Sequence, residues 1–366
     1  MTSNHMRRLA GLASLAIVGG VAACDPLPSS APILQQTWVV PGDSIAVGVS
    51  QILPAGVNLN GGGTAFVVST PSANRSTTLG ALCGQPVCQS TTTATVPVPA
   101  FTSGAGTLSS TIAMPTGVTG ATVTGGNVVV VVSNTLGFDP LRPNGASAPY
   151  GRLIVTRASG SATRTDTIGG ATQAMPTGAA TTLTLPLPTG SWSGTLTFSL
   201  VFDVPAGANA TLNANNSLSV AASLQTLTVS AATVVVNADP VNTAPSAFNL
   251  EDVDFADQVE AGGFLIDVQN PFTASAALNM QISAPAQLGQ PAVTITKALT
   301  IPAQPTSSTE VTLTKAELQS LVGKANVTVA VNGTATGTGA GNTVSVSPAQ
   351  RITMRTKIRL ILNVGA

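Results

Sequence analysis

Two stretches of the sequence decide the fold: VTGGNVVVVVSN at residues 123–134 and VEAGGFLIDVQN at residues 259–270. Each has a valine, a pair of glycines offset by one position, a hydrophobic run, and an asparagine eleven residues after the valine. A β-branched and apolar run bounded by glycine and asparagine predicts a β-strand. The recurrence of the whole pattern predicts an internal repeat.

The similarity continues in the same order along the chain. The further pairs are MPTGAATTLTL (175–185) with IPAQPTSSTEVTL (301–313), GTLTFSLVF (194–202) with ANVTVAVNG (325–333), and NNSLSV (215–220) with GNTVSV (341–346). We therefore predict two copies of one β-domain, copy one at 108–243 and copy two at 244–366. The boundary falls in a polar, proline-containing linker, as expected for a domain junction.

The two copies differ in two places. Copy one has an insertion at residues 135–151. Copy two has the stretch TKAELQSLVGK at 314–324, in which Thr314 and Glu317 have the spacing of a capping box and Gly323 follows the apolar positions. That pattern predicts one short helix.

The remaining strand signals fill most of the chain, so we expect an all-β protein. The 342 residues that follow position 24 are too many for a single sandwich, which favours two or three domains. Residues 37–107 form a further β-rich segment, interpreted as a third domain or as an extension of copy one.

Copy two resembles the water-stress and hypersensitive-response (WHy), or LEA type 2, domain. The resemblance rests on FLIDVQNPF (264–272), LTIPAQPTSSTEVTLT (299–314) and VTVAVNGTATG (327–337). Copy one departs from the pattern, because Thr135 follows its asparagine where copy two has a proline, and it lacks the helix. The resemblance implies a β-sandwich with one small helix and implies no activity. The expected fold is therefore tandem immunoglobulin-like or LEA type 2-like β-sandwiches.

The first 24 residues have the pattern of an export signal. Arg7 and Arg8 precede an apolar stretch, LAGLASLAIVGGV, and small residues precede Cys24. VAAC at 21–24 resembles the lipobox of bacterial lipoproteins, which implies acylation of Cys24 and retention at a membrane facing the periplasm or the cell surface. The alternative is ordinary cleavage that leaves this cysteine unmodified. Residues 25–36 are interpreted as a tether.

Charged residues make up only 8% of the chain and aromatic residues 3%. Without the signal, twelve basic and fourteen acidic residues remain, a net charge of −2. This balance gives no electrostatic reason to expect a nucleic-acid partner. We expect no cofactor.

Cys83 and Cys88 are the only cysteines after residue 24. In an oxidising envelope, we predict a local disulfide between them, with two free thiols as the alternative. Two cysteines without a histidine do not complete an ordinary zinc site.

Ser44 lies in VVPGDSIAVG (39–48), which resembles the nucleophile segment of GDSL-type hydrolases. A serine nucleophile needs an adjacent base, and the only histidine, His5, lies in the signal. We therefore expect no catalysis, and interpret PGDS as a turn that leads into a strand.

Two charged stretches remain. Six of the fourteen acids fall within 251–267, where Asp252, Asp254 and Asp257 are candidate calcium ligands or part of a solvated acidic face. In the last strand, RITMRTKIRLILNV, the period of two predicts a buried face and a second face that carries Arg351, Arg355, Lys357 and Arg359. These cations are predicted to meet lipid headgroups, the acidic segment, or water alone.

Together these patterns predict a lipid-anchored envelope protein with a non-catalytic structural or interaction role. Its expected partners are the membrane, through the anchor, and envelope proteins or lipid. The alternative is a carrier of apolar ligands, such as lipids, held between sheets or domains.

Overall fold

The computed structural model describes residues 34–251, 256–287 and 289–364. Seven strands precede and open copy one: β1 Leu34–Gly48, β2 Val57–Leu59, β3 Phe66–Val68, β4 Ala73–Thr78, β5 Ala94–Pro97, β6 Phe101–Thr102 and β7 Leu108–Ala113. Helix α1, Leu79–Cys83, follows β4, and two 3-10 turns lie at Val49–Gln51 and Pro86–Cys88.

Copy one continues with eight strands: β8 Val118–Asn134, β9 Arg152–Ser159, β10 Ala162–Gly169, β11 Ala179–Pro186, β12 Gly190–Trp192, β13 Thr195–Val204, β14 Asn209–Leu212 and β15 Ser217–Val235.

Nine strands complete the chain: β16 Asn237–Asn242, β17 Ser246–Phe248, β18 Val259–Gln269, β19 Ala274–Ala284, β20 Val293–Ile301, β21 Thr306–Leu313, β22 Val327–Gly337, β23 Thr343–Val346 and β24 Arg351–Val364. The first of them, β16, precedes the predicted start of copy two at 244 but pairs with β22 of that copy. A 3-10 turn, Ala256–Gln258, leads into β18, and helix α2, Lys315–Leu321, joins β21 to β22.

The predicted all-β fold of tandem sandwiches is confirmed, and the two copies share one strand topology. In copy one, β8 lies between β11 and β15, while β9 lies between β10 and β13. In copy two, β18 lies between β21 and β24, while β19 lies between β20 and β22. The strands therefore correspond in order, except that β24 takes the place of β15, whereas the sequence repeat matched the start of β15 with β23. All of these pairs are antiparallel.

The segment predicted at 37–107 contributes strands to both sandwiches. β1 pairs along almost its whole length with β24, the last strand of copy two. β3 and β4 instead pair with β15 of copy one. Strand β23 of copy two also pairs with the end of β15, so the two sandwiches share hydrogen-bonded strands.

The interpretation of PGDS as a turn is wrong. β1 runs through this stretch, and its register against β24 shifts between Pro41 and Ser44, which defines a β-bulge. β1 also begins at Leu34, within the segment interpreted as a tether.

A buried asparagine closes the first long strand of each copy. The side-chain amide of Asn134 donates to the carbonyl oxygens of Phe138 (2.9 Å) and Met175 (2.6 Å), and its oxygen accepts from the N–H of Leu136 (2.9 Å). Asn134 is only 1% exposed. One side chain therefore satisfies three backbone groups where the strand ends and the chain turns.

Asn270 makes the same three bonds in copy two. Its amide donates to the carbonyl oxygens of Ala274 (2.8 Å) and Pro302 (3.0 Å), and its oxygen accepts from the N–H of Phe272 (3.0 Å). Two of the partners stand at the same sequence offsets as in copy one, and the third lies just before the fourth strand of each copy. The closing asparagine of the repeat is therefore a structural clamp, and we refer to each as an asparagine clamp.

Helix α2 begins as the sequence predicts. The hydroxyl of Thr314 accepts from the N–H of Glu317 and the Glu317 carboxylate accepts from the N–H of Thr314, which completes the capping box. Gly323, just beyond the helix, has a φ of 80°, a conformation that glycine adopts without strain. Helix α1 is an addition that the sequence did not predict. Among the described residues, neither helix has the length and apolar character of a membrane span.

Asn270→Ala tests the clamp. We expect it to lower the free energy of unfolding by about 1–3 kcal/mol, because two buried carbonyls and one N–H lose their partner. Asn270→Asp should cost more at neutral pH, since a carboxylate would face the same two carbonyls. Urea unfolding measures both changes. Asn58→Ala, at an exposed position of β2, is the matched control and should stay within about 0.5 kcal/mol of wild type. Equal stability of the Asn270→Ala and Asn58→Ala variants would contradict the role of the clamp.

Candidate functional site

The predicted site residues lie in separate parts of the chain. Cys24, Asp252 and Asp254 lie outside the described residues. Asp257 lies in the 3-10 turn before β18 and is exposed. Within the described ranges, no three His, Cys, Asp or Glu residues come together as metal ligands would.

Ser44 lies in the bulge of β1, exposed and paired across the sheet with Arg355. A guanidinium has no acceptor site and does not take a proton from a serine hydroxyl. The carbonyl of the preceding Asp43 accepts from the hydroxyl of Thr356 at 3.1 Å and from that of Ser246 at 3.4 Å, which joins the bulge to both sheets of copy two. These contacts describe a structural bulge.

Cys83 and Cys88 form a disulfide. Cys83 ends helix α1, and Cys88 ends the 3-10 turn that follows. Gly84 lies between them with a φ of 64°, so the chain reverses direction where a glycine removes the steric cost. Both sulfur-bearing residues are buried, which places the disulfide in the core below β4 rather than in a reactive surface position.

The most distinctive charged surface lies on the outer face of copy two, across β24, β18 and β21. We call it the charged ladder: Arg355, Lys357, Arg359, Asp267, Glu310 and the hydroxyl of Ser308. Lys357 Nζ lies 3.0 Å from Asp267 Oδ2, and Arg359 forms an ion pair with Glu310. Ser308 Oγ donates to Asp267 Oδ1 at 2.9 Å.

The register explains these pairs. Asp267 stands between Arg355 on one side and Ser308 on the other, so its partners are a direct and a diagonal neighbour. Gly263 on β18 stands opposite Arg359 on β24. Because glycine has no side chain, nothing at this position separates Arg359 from Glu310 on β21. The basic face predicted for the last strand therefore meets acidic residues of its own sheet, and one of them, Asp267, belongs to the predicted acidic segment.

The contacts within the charged ladder change the pKa of the Asp267 carboxyl. The hydrogen bond from Lys357, followed by that from Ser308, lowers the pKa of Asp267 below its ordinary value. The Asp267 side chain is 45% exposed, so water screens the interaction and its contribution to stability stays within about 1 kcal/mol. The ladder is consequently a solvent-facing set of charges held in defined positions.

A shallow groove of about 470 Å³ runs along one side of the ladder. Its lining includes Asp267, Gln269, Thr306, Ser308, Thr353 and Arg355. This surface offers hydrogen-bond donors and acceptors together with the Arg355 guanidinium and the Lys357 ammonium group.

The equivalent face of copy one is uncharged where copy two carries the ladder. Counting from the asparagine clamps, Asp267 corresponds to Val131, and the residue paired with each is Arg355 in copy two and Ala221 in copy one. Two copies with the same strand order thus present chemically different outer surfaces.

The interior of copy two contains a small enclosed cavity of about 20 Å³, lined by apolar residues that include Val47, Phe272, Leu278, Ile301 and Ile352. Such a volume is about that of a single water molecule. Small-molecule sites are typically 300–1,000 Å³. This cavity is too small for an acyl chain.

Arg157 is a buried cation that is not among the residues predicted from the sequence. Its side chain is fully buried in copy one, where it forms an ion pair with Asp166 on β10 and donates to the carbonyl oxygen of Pro186 (2.8 Å) on β11. Burial, with repulsion from Arg164, lowers the pKa of Arg157 to about 10, so it stays protonated at neutral pH. It links the two sheets of copy one and has a structural role.

The insertion at 135–151 is braced against copy one. Asp139 accepts from the N–H groups of Leu141 (2.8 Å), Arg142 (3.1 Å) and Met175 (2.9 Å), which uses both carboxylate oxygens. Arg142 Nε donates to the carbonyl oxygen of Gly170. The insertion therefore lies on the body of the sandwich with its charged residues engaged.

The comparisons with known proteins give low similarities. A candidate secreted protein from Parabacteroides distasonis aligns over 89% of this chain and 99% of its own, with 12% identity and a TM-score of 0.28. The N-terminal CBM22-1–CBM22-2 tandem domain of Xyn10C from Paenibacillus barcinonensis aligns over 89% and 98%, with 9% identity and a TM-score of 0.18. No protein-family model and no curated protein matches the chain, so the resemblance of copy two to the LEA type 2 domain stays a prediction.

Lys357→Ala tests the geometry of the ladder. We expect the pKa of Asp267 to rise toward its ordinary value, because the largest favourable contact of the carboxylate is lost. In wild type, the pKa of this group is lowered in the folded state. Its contribution to stability is therefore complete above the unfolded pKa of about 4 and is lost as pH falls through the folded pKa. Carboxyl carbon NMR titration measures the shift. Arg351→Ala, which removes a cation from the same strand away from Asp267, should leave that pKa unchanged. A pKa that does not move in Lys357→Ala would refute the assigned contact.

Proposed function

We propose that the protein is a lipid-anchored component of the bacterial cell envelope with a non-catalytic interaction role. In this proposal, acylated Cys24 holds the chain at a membrane, and the tandem sandwiches present the charged ladder to a polar partner. The observation that carries the proposal is the lipobox-like VAAC at 21–24, which directly precedes a short tether and the first strand.

The chemistry of anchoring favours stable retention. Each buried CH₂ group contributes roughly 0.8 kcal/mol, so one acyl chain binds a bilayer only marginally while two or three hold it firmly. Acylation at a lipobox cysteine supplies more than one chain. The protein then needs no further membrane segment to stay attached.

The interaction role is supported by the contrast between the copies. Both conserve an apolar interior and an asparagine clamp, which the fold requires. On the sheet that contains the clamped strand, only copy two has the cross-strand charges of the ladder and the groove beside them; copy one has its exposed cross-strand pair, Arg152–Asp203, on its other sheet, beside a groove of about 450 Å³. Charged groups in fixed positions on a solvent-facing sheet determine which partner binds and in which orientation more than they raise the affinity.

Metabolic labelling with a palmitate analogue tests the anchor. We expect the wild-type protein to take up label and Cys24→Ala to lose it, because the acylated sulfur is then absent. The double variant Cys83→Ala/Cys88→Ala is the matched control and should keep the label, since it retains Cys24. An unlabelled wild type would overturn the proposal.

Hydrolysis of model esters tests the absence of catalysis. We expect the purified protein to release product at the rate of buffer alone, and Ser44→Ala to behave identically, because Ser44 faces a guanidinium rather than a base. Ser50→Ala, at a neighbouring exposed serine, serves as the control. Activity that is present in wild type and in Ser50→Ala but vanishes in Ser44→Ala would establish an enzyme instead.

A further inference from the structure

The first half of β1 exposes an unusual amount of apolar surface. Leu34 is 60% exposed, Val39 50% and Trp38 45%. These are three of the six large hydrophobic residues that are exposed among the described residues, and they lie within six positions of one another. We call these three residues the β1 apolar edge.

The register places the three residues of the β1 apolar edge on both faces of the strand. Leu34 and Trp38 pair with Val364 and Leu360, so they lie on the face of the sheet that is buried further along. Val39 pairs with Arg359 and lies on the opposite face. Since β1 is the end strand of its sheet, its other side is an edge. Natural proteins commonly protect such edges with charges.

The two strand ends that form this edge carry no charged residues of their own. Residues 34–42 and 360–364 contain no Asp, Glu, Lys or Arg. The polar atoms of the Trp38 side chain are accommodated locally, as Nε1 donates to Gln36 Oε1 at 3.4 Å. The nearest cations, Arg359 and Lys357, stand opposite Val39 and Pro41 and are ion-paired with Glu310 and Asp267, so contact with the headgroup region would involve charges that are already paired.

The position of the edge in the chain indicates what covers it. Nine residues, 25–33, separate Leu34 from Cys24. A chain of this length spans at most about 35 Å when fully extended. The β1 apolar edge is thus the described surface that is nearest, along the chain, to the predicted acyl group.

We propose that the β1 apolar edge docks into the interfacial region of the lipid bilayer to which Cys24 is attached; this inference rests on the proposed lipid anchor. Tryptophan is enriched at the level of lipid headgroups, because its ring is apolar while its N–H is polar. Docking would seat copy two against the membrane, with the sheet that carries the charged ladder joined directly to the anchored strand.

A bilayer suits the geometry better than a second copy of the chain. A strand added by a second copy would hydrogen-bond to the backbone edge of β1 and extend the sheet. That pairing would leave Leu34 and Trp38 on one exposed face and Val39 on the other. Immersion in the interface covers both faces together.

Tryptophan fluorescence of the full-length acylated protein in phosphatidylcholine vesicles tests the docking. The chain has two tryptophans, and Trp192 is buried in copy one, where its N–H donates to the carbonyl oxygen of Pro188. With acyl chains brominated near the headgroup, we expect loss of most of the Trp38 emission and a shift of that emission to shorter wavelength. Trp38→Phe should abolish the quenching, and Trp192→Phe should retain it.

Further variants and vesicle flotation separate the outcomes. Leu34→Ser/Val39→Ser should reduce the quenching of Trp38, while Val67→Ser, at an exposed valine of β3, should not. Protein that floats with the vesicles but keeps unquenched Trp38 emission overturns docking and leaves the anchor intact. If its mass in detergent is also that of a dimer, the edge belongs to a second copy. Protein that does not float refutes the anchor and docking together.

Discussion

The amide side chains of Asn134 and Asn270 solve the same problem in both sandwiches. A long central strand ends there, and the chain must turn within the protein interior, where backbone groups have no water to bind. An unpaired buried carbonyl or N–H costs about as much as a lost hydrogen bond. A primary amide offers two donors and one acceptor on one neutral group, so it satisfies three backbone groups without burying a charge. The clamp tolerates a different next residue, Thr135 or Pro271, because that residue contributes none of these bonds.

The strands and the repeat were predictable because their signal is local. Period-two patterns and glycine-rich ends placed the main strands of both copies, and the spacing of Thr314 and Glu317 placed α2. Helix α1 escaped prediction since five residues, LGALC, are too few to show a helical period. Arg157 shows what a stricter use of periodicity would have found. It falls on the same face of β9 as Leu153 and Val155, which predicts an inward cation that needs a partner.

Long-range pairing was beyond the sequence. β1 pairs with β24 although more than 300 residues separate them, and nothing in the pattern of either strand specifies its partner or register. The same holds for β23, which resembles the start of β15 in sequence but pairs with the other end of that strand. For this reason the sequence predicted only the cations of the charged ladder. Its cations follow from the alternation of β24, while their acidic partners on β18 and β21 depend on the order of strands in the sheet.

A comparison of the two copies shows which positions are constrained by the fold and which positions can vary. Most positions that face the interior are apolar in both copies, with Arg157 as an exception in copy one, and the clamps keep their bonds, because a change there costs stability. Outer-face positions carry no such constraint, and there the copies diverge from Val131 and Ala221 to Asp267 and Arg355. Copy two, which receives β1, the first described strand, is also the copy that carries the charged ladder. Since that strand and the ladder share one sheet, any force that orients β1 also orients the ladder, so the proposed attachment and the presentation of the ladder would be mechanically coupled through this sheet.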